Sequence, residues 1–100
     1  MNEASDRIAI RYCTGCRWGL RATWMAQELL ATFEGDVAEV ALIPDASGGV
    51  FEIHVGKHCV WSRKRDGGFP EITELKRRVR DILAPHRQLG HAEREPSTGA

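Results

Sequence analysis

The sequence predicts an α/β fold in which two main helices cover a four-stranded mixed sheet. Two observations support this prediction. In four short segments the apolar residues alternate with polar ones or form a continuous run, which is typical of strands. In two longer segments the apolar residues recur every three or four positions, which is typical of amphipathic helices. These segments follow one another as strand, helix, strand, strand, strand, helix. The first strand–helix–strand unit is expected to be right-handed and parallel, and the last two strands to form an antiparallel hairpin.

The first unit begins with residues 7–12, whose alternating pattern predicts a strand that ends at Cys13. The helix that follows has a single apolar stripe, which consists of Trp18, Ala22, Met25, Ala26, Leu29 and Phe33. Gly35 is expected to end this helix in a left-handed conformation. Residues 37–43 are largely apolar and predict a buried strand.

The hairpin is predicted from a second run of alternating residues. Residues 44–49 are rich in Gly, Pro, Ser and Asp and predict a loop. Residues 50–55 then alternate strictly, Gly56 and Lys57 suit a tight turn, and residues 59–64 predict the antiparallel partner strand.

The second helix follows a loop over residues 66–70. Pro70 suits the first helical position, and Glu71 and Glu74 lie favourably in the positive first turn. Pro85 is expected to end this helix. Its apolar face consists of Ile72, Leu75, Val79, Ile82 and Leu83. Its solvated face is expected to consist of Arg77, Arg78 and Arg80.

Composition restricts the class of protein. The chain has 100 residues, enough for one domain, with 42% hydrophobic and 28% charged residues. Fourteen basic residues balance fourteen acidic ones, which argues against a nucleic-acid or anionic-membrane surface. No apolar run approaches the roughly 18 residues that span a bilayer, and no secretion signal is visible, so we expect a cytoplasmic protein.

The domain is predicted over residues 7–85. Residues 1–6 are polar and acidic and predict a flexible N-terminus. Residues 86–100 are polar, with several Gly and Pro, and predict a disordered tail.

Cys13 and Cys16 form a Cys-x-x-Cys motif at the predicted strand-to-helix junction. In a cytosolic chain, this spacing in this setting is typical of a redox motif. A helix N-terminus stabilises a thiolate, and Arg17 adds a cation, so the thiol pKa is expected to fall from about 8.5 into a range of roughly 3.5–7.5. Thr14 and Gly15 are small and leave the pair open to a partner.

Zinc binding is the first alternative to a redox role. Cys13 and Cys16 could join Cys59 and either His54 or His58 in a four-ligand site, although the second pair of ligands is poorly spaced. The second alternative is that both cysteines are small core residues, which their polar and glycine neighbours disfavour.

The remaining candidate residues have simpler interpretations. On strand alternation, Cys59 shares a face with Trp61 and is expected to be a small buried hydrophobe, with a further redox or glutathionylation role as the alternative. Trp18 lies close enough to the motif to cover the thiols, while Trp24 falls off the apolar stripe. No histidine is expected to pair with a carboxylate, so histidine acid–base catalysis has little support.

Two separated motifs resemble a known family. Tyr12-Cys13-Thr14-Gly15-Cys16, the hairpin, and the segment Arg63-Lys64-Arg65-Asp66-Gly67-Gly68-Phe69-Pro70 together resemble the selenoprotein W-like (SelT/SelW/SelH, or Rdx) family over residues 7–85. The resemblance implies a thioredoxin-like fold, a Cys-x-x-Cys or Cys-x-x-Sec redox centre and a thiol oxidoreductase role, often linked with glutathione.

The resemblance also implies roles for individual residues. Selenocysteine occupies the second position of the motif in such proteins, which makes Cys16 the expected attacking group and Cys13 the resolving one. The loop that contains Gly68 and Phe69 lies near the motif in the family, so Phe69 is expected to cover the site or bind a partner. The proline that precedes an antiparallel strand in thioredoxins has no equivalent here, since Pro44 lies several residues upstream of that strand.

The sequence therefore predicts a thiol–disulfide oxidoreductase that uses the Cys-x-x-Cys motif and is coupled to glutathione or thioredoxin. No bound cofactor is expected, and glutathione is a possible co-substrate. A non-catalytic redox sensor that binds a partner, and a zinc module, are the alternatives. A homodimer is also predicted, on the premise that helices on one sheet face only would leave Trp61 in need of cover.

Overall fold

The structure, a computed structural model, describes residues 6–89 of the chain. Residues 1–5 of the predicted flexible N-terminus and residues 90–100 of the predicted tail lie outside this range. The elements are β1 (Arg7–Cys13), α1 (Gly19–Thr32), β2 (Glu39–Asp45), β3 (Phe51–Val55), β4 (His58–Ser62), α2 (Arg63–Asp66) and α3 (Ile72–Leu83).

The four strands form one mixed sheet in the order β2-β1-β3-β4. β1 pairs with β2 in parallel and with β3 antiparallel, and β3 pairs with β4 antiparallel. The predicted four-stranded mixed sheet and the order of its main elements are confirmed. A central position for β1 fits its sequence, because Ile8 and Ile10 are fully buried.

Both long helices lie on one face of the sheet, where α1 and α3 also contact each other. The hydrophobic core lies between the sheet and these helices and consists mainly of residues from β1, β3, α1 and α3. Its largest fully buried side chains are Phe33, Phe51, Ile8, Ile10, Met25, Leu29, Ile53, Leu75, Val55 and Val79. Lys76 is also buried on α3, and its ammonium group lies 2.9 Å from the carboxylate of Glu28 on α1, which ties the two helices together.

The opposite face of the sheet is polar and is called the open face here. Arg7 pairs with Glu39 and Arg11 pairs with Asp45 across the β1–β2 ladder on this face. Trp61 is only 8% exposed and belongs to the core under the helices. The premise of the predicted homodimer, an uncovered Trp61, is therefore wrong.

The bounds of α1 and β2 differ from the prediction. Gly35 does not adopt a positive φ, and Phe33 instead caps α1, with its carbonyl accepting the N–H groups of Asp36 and Val37. β2 consequently begins two residues later than predicted and continues through Pro44. A proline is compatible with this strand because β2 lies at the edge of the sheet.

The strand predicted over residues 59–64 is shorter, because the chain turns into α2 after Ser62. The Ser62 hydroxyl accepts the N–H of Arg65 and caps this single turn of helix. Gly67 ends it in the left-handed conformation, with φ 81°. This helix was absent from the prediction.

α3 begins at Ile72, after the predicted position of Pro70, because Glu71 is the N-cap and its carboxylate accepts the N–H groups of Thr73 and Glu74. The predicted solvated arginine face is also wrong in part. The guanidinium of Arg78 lies 4.6 Å from the ring centroid of Trp61 and donates to the carbonyl of Val60. The side chain of Arg80 is only 12% exposed.

A β-bulge interrupts the β3–β4 ladder. Ile53 is paired with Trp61, but the next residue, His54, is paired with Cys59, so Val60 is an extra residue in β4. Cys59 and Trp61 therefore lie on opposite faces of the sheet, against the prediction from simple alternation. Cys59 lies on the open face beside His54.

The core extends past Pro85. Leu89 is 2% exposed and packs into the core cluster, so the core includes a residue beyond the predicted domain boundary at residue 85. Within residues 6–89, no helix is both long enough and apolar enough to cross a membrane.

Candidate functional site

The cysteine pair lies where β1 leaves the sheet. The N–H of Cys13 donates to the carbonyl of Val50 at 2.8 Å, and the N–H of Thr14 donates to the carbonyl of Asp45 at 3.0 Å. These bonds tie the first half of the motif to both neighbouring strands. The cysteine at the end of the strand is therefore held by the sheet itself.

Cys16 lies in a turn between β1 and α1. The N–H of Arg17 donates to the carbonyl of Thr14, and Arg17 adopts a left-handed φ of 62°, which is uncommon for a residue with a side chain. α1 begins only at Gly19. The prediction that the motif itself opens the helix is wrong by this one turn.

The two thiols differ in exposure. Cys13 is 2% exposed, whereas Cys16 is partly exposed, and both are free thiols. The interaction between the two neighbouring thiols lowers the pKa of Cys13 and raises the pKa of Cys16. The negative charge is therefore favoured on Cys13, and the predicted lowering of the thiol pKa is wrong for Cys16.

Backbone amides that stabilise the thiolate come from two turns. The amide of Gly49 lowers the pKa of both thiols, and the amides of Cys16 and Gly15 lower the pKa of Cys13 further. The predicted source of this stabilisation was the helix N-terminus. Gly49 adopts a left-handed φ of 77°, which favours glycine at this position.

Arg63, the first residue of α2, provides a positive charge that lowers the pKa of Cys16. The predicted cation was Arg17, whose side chain is exposed. Neither Arg63 nor Gly49 was recognised as a site residue from the sequence. Arg63 is the first residue of the segment 63–70 on which the family resemblance partly depends. Only the folded structure shows that this segment lies beside the Cys-x-x-Cys motif.

Phe69 contacts the segment that contains the cysteines. Its ring centroid lies 4.9 Å from that of Trp18 and 5.0 Å from that of Phe51, with both pairs arranged edge to face. The guanidinium of Arg21 lies 4.1 Å above the Phe69 ring. Trp18 and Phe69, both predicted neighbours of the motif, therefore form one aromatic cluster at its C-terminal side.

The backbone conformation explains why glycine occupies the two positions before Phe69. Gly67 has a φ of 81° and Gly68 a φ of 128°, and a Cβ at either position would have open space around it. The positive φ, rather than a close approach of another part of the chain, therefore explains glycine at both positions. The carbonyl of Gly68 accepts a 2.8 Å hydrogen bond from the indole of Trp61, which fixes the loop over the sheet.

The family follows from comparison with known proteins. The model of the Rdx family matches residues 7–81 of the chain. The chain belongs to the Rdx family. The resemblance to the selenoprotein W-like group is thereby confirmed.

Two solved structures support the Rdx assignment. The chain is similar to a crystal structure from Bordetella parapertussis, with 62% sequence identity, a TM-score of 0.74, and coverage of 77% of this chain and 96% of that one. It is also similar to a selenoprotein W-related protein from Vibrio cholerae, with 51% identity, a TM-score of 0.74, and coverage of 76% and 94%. The predicted thioredoxin-like fold is confirmed. A search of curated proteins finds no match.

The structure does not bring the four predicted zinc ligands of this Rdx chain together. β1 places Ala9, not Cys13, opposite His54, and four residues of strand correspond to about 13 Å. The donors that do meet within 4.8 Å of one another, among residues 6–89, are Glu52, His54 and Cys59. Cys13 and Cys16 are not part of that group.

Two expectations about single residues also change. His54 Nε2 lies 3.1 Å from the carboxylate of Glu52, so the expectation that no histidine pairs with a carboxylate is wrong. Cys59 is partly exposed on the open face, and burial nevertheless raises the pKa of its thiol. A raised pKa makes a thiol a poor nucleophile at neutral pH, in contrast to Cys13, whose pKa is lowered.

Proposed function

We propose that this Rdx-family chain is a thiol–disulfide oxidoreductase whose redox centre is the pair Cys13 and Cys16. The observation that supports this best is a pair of free thiols in one motif, of which one is buried and the other partly exposed. The neighbouring Cys13 thiol raises the pKa of Cys16, and the amide of Gly49 and the charge of Arg63 act in the opposite direction and favour a thiolate there. Such an environment is typical of reactive cysteines.

The difference in exposure supports different roles for the two cysteines. A disulfide in solution reaches Cys16 but not Cys13, which is 2% exposed. When Cys16 reacts as the thiolate, its proton passes to the neighbouring Cys13, and Cys13 then gives that proton up to the thiolate that leaves the substrate. Cys13, whose lowered pKa makes it a ready thiolate, then resolves the intermediate.

The exchange proceeds in two displacements. The Cys16 thiolate attacks one sulfur of a substrate disulfide, forms a mixed disulfide, and releases the other half of the substrate as a thiolate, which takes up a proton. The Cys13 thiolate then attacks the Cys16 sulfur, closes the Cys13–Cys16 disulfide and releases the second substrate thiolate. The substrate gains two electrons, and glutathione or thioredoxin as the reductant returns them to the protein.

Single serine variants test this proposal with oxidised glutathione as the disulfide. Cys16→Ser is expected to abolish exchange. Cys13→Ser is expected to stop at the mixed disulfide, visible in the intact mass as one added glutathione per chain. Cys59→Ser is the control and is expected to exchange at the wild-type rate. Wild-type rates in both Cys13→Ser and Cys16→Ser would contradict the proposal.

A redox sensor that binds a partner without turnover is the second candidate. It is supported by the contact of Trp18 with Phe69, because closure of the Cys13–Cys16 disulfide beside Trp18 would change the position of the Phe69 ring. The two candidates differ in kinetics. Repeated reduction of oxidised glutathione with a thioredoxin system favours the enzyme, while stoichiometric partner binding in one redox state only, without turnover, favours the sensor.

A further inference from the structure

The β-bulge in β4 determines which face of the sheet Cys59 occupies. Ile53 and Trp61 are paired and face the core. In a regular ladder, Val60 would be paired with His54 and Cys59 with Val55, whose side chain is fully buried. The extra residue instead pairs Cys59 with His54 on the open face. Bulges re-aim side chains in this way at functional sites.

The re-aimed thiol completes a group of three donors. Glu52 and His54 are two residues apart on β3 and therefore share the open face, where their side chains lie 3.1 Å apart. The Cys59 sulfur joins them, with all three donor atoms within 4.8 Å of one another. All three residues are half-buried.

We propose that Glu52, His54 and Cys59 bind a divalent cation of the zinc class. A thiolate sulfur, an imidazole nitrogen and a carboxylate oxygen are the donors that zinc prefers in proteins. Tetrahedral coordination needs donor separations of about 3.4–3.6 Å, so the present separations require only small rotations of side chains. The site is independent of the proposed redox function.

Binding involves one proton from the protein. The Cys59 thiol, which now donates to the carbonyl of Trp61 at 3.3 Å, releases its proton to solvent and forms the metal–sulfur bond. The imidazole of His54 provides a lone pair, and its remaining N–H group lies on the other ring nitrogen. No oxidation state changes in this step.

Glu52 and His54 also line a cleft, so a bound cation would have room for a fourth ligand from solvent. A cleft of about 430 Å³ on the open face is lined in part by Glu52, His54, Arg11 and Lys57. Three protein ligands with one open position are the arrangement of catalytic and exchangeable metal sites rather than closed structural ones. The three cationic side chains in the cleft, Arg7, Arg11 and Lys57, would suit an anionic fourth ligand.

Titration of the reduced full-length protein with Co²⁺ tests the proposal, because a tetrahedral cobalt–thiolate site has a sulfur-to-metal charge-transfer band. One equivalent is expected to bind with this band. Cys59→Ser is expected to abolish the band, and His54→Ala to weaken binding by more than the about 10-fold typical of changes around a metal ligand. His58→Ala is the matched control, because His58 is an exposed histidine next to Cys59 on β4. This variant is expected to bind as the wild type does.

The double variant Cys13→Ser/Cys16→Ser separates this site from the redox pair and is expected to keep the cobalt–thiolate band. Loss of the band in this variant, together with its retention in Cys59→Ser, would overturn the proposal. A second experiment uses the wild-type protein, so its result does not depend on whether the variants fold. Zn²⁺ is expected to slow alkylation of Cys59, identified by peptide mass mapping, and unchanged alkylation with equimolar Zn²⁺ would also overturn it.

Discussion

The ring of Trp18 meets the ring of Phe69 edge to face, with their centroids 4.9 Å apart. Trp18 lies two residues after Cys16, and Phe69 lies in the loop between α2 and α3. The contact therefore joins the two sequence motifs of this Rdx protein into one site. It also places a loop that is distant in sequence beside the residue that lies two positions after Cys16.

Phe69→Ala is expected to expose Cys16 and to destabilise the fold. Truncation of a fully buried Phe costs about 3–5 kcal/mol, and for the half-buried Phe69 we expect about 2 kcal/mol. Urea unfolding measures the stability, and the alkylation rate of Cys16 is expected to rise. The control is Trp24→Ala, since Trp24 is 48% exposed. Equal alkylation rates in Phe69→Ala and wild type would argue against a covering role for Phe69.

Gly49→Ala is expected to act through backbone strain rather than through steric clash. A Cβ at Gly49 would lie 3.8 Å from Arg63 Nη1, an ordinary contact, but the φ of 77° costs an L-residue about 1–2 kcal/mol. Movement of the Gly49 amide is expected to raise the pKa of both motif thiols, so their alkylation at pH 7 is expected to slow.

Gly48→Ala provides the matched control for Gly49→Ala. Gly48 has no positive φ and open space at its Cβ position. Its replacement is expected to leave the thiol reactivity unchanged and the free energy of unfolding unchanged or raised by up to about 1 kcal/mol. If both variants alter the alkylation rate equally, general loop disturbance and not the Gly49 amide is responsible.

Arg63→Gln is expected to raise the pKa of Cys16, because it removes the positive charge that favours the thiolate. The thiolate fraction at pH 7 then falls, and alkylation of Cys16 is expected to slow by at most about 5-fold, the effect of about 1 kcal/mol between charges near water. Added salt is expected to slow the wild type more than the variant. Arg7→Gln on the open face is the control, and a salt dependence that is the same in wild type and Arg63→Gln would contradict this account.

The strands of the sheet could be predicted because the alternation of apolar and polar residues is a local feature of the sequence. Ile8 and Ile10 on β1, and Phe51, Ile53 and Val55 on β3, alternate strictly, and all five are at most 1% exposed. The cysteine pair was likewise recognisable from its spacing within a strand–helix–strand unit. Burial on one face leaves little freedom in the register of such strands.

The environment of the thiols could not be predicted in the same way. Gly49 and Arg63 are distant from Cys16 in sequence and act on it only because the β2–β3 loop and α2 meet the end of β1. The bulge at Val60 depends on cross-strand pairing, so an alternation rule places Cys59 on the wrong face. These features arise from tertiary contacts rather than from local pattern.

Asp66 is expected to stabilise the protein in a pH-dependent manner through α2. Hydrogen bonds from the Arg65 guanidinium and from the N–H of Ser62 lower the pKa of Asp66, whose side chain is 19% exposed. Because the folded pKa lies below the unfolded value of about 3.9, this stabilisation is present above pH 4 and is lost as the pH falls through the folded pKa. Asp66→Asn is expected to lose about 1 kcal/mol at pH 7, after allowance for solvent screening.

Urea unfolding at pH 7 and at pH 3 measures this effect. The difference between wild type and Asp66→Asn is expected to shrink at the lower pH, since Asp66 is then partly protonated and closer to the neutral asparagine. Asp81→Asn is the control, because the Asp81 side chain is 65% exposed and pairs with the neighbouring Arg80, so the change is expected to stay within about 0.5 kcal/mol. An equal loss in Asp66→Asn at both pH values would show that the carboxylate charge does not hold α2. The position of Arg63 beside Cys16 would then depend on the Ser62 cap and the Gly67 turn alone.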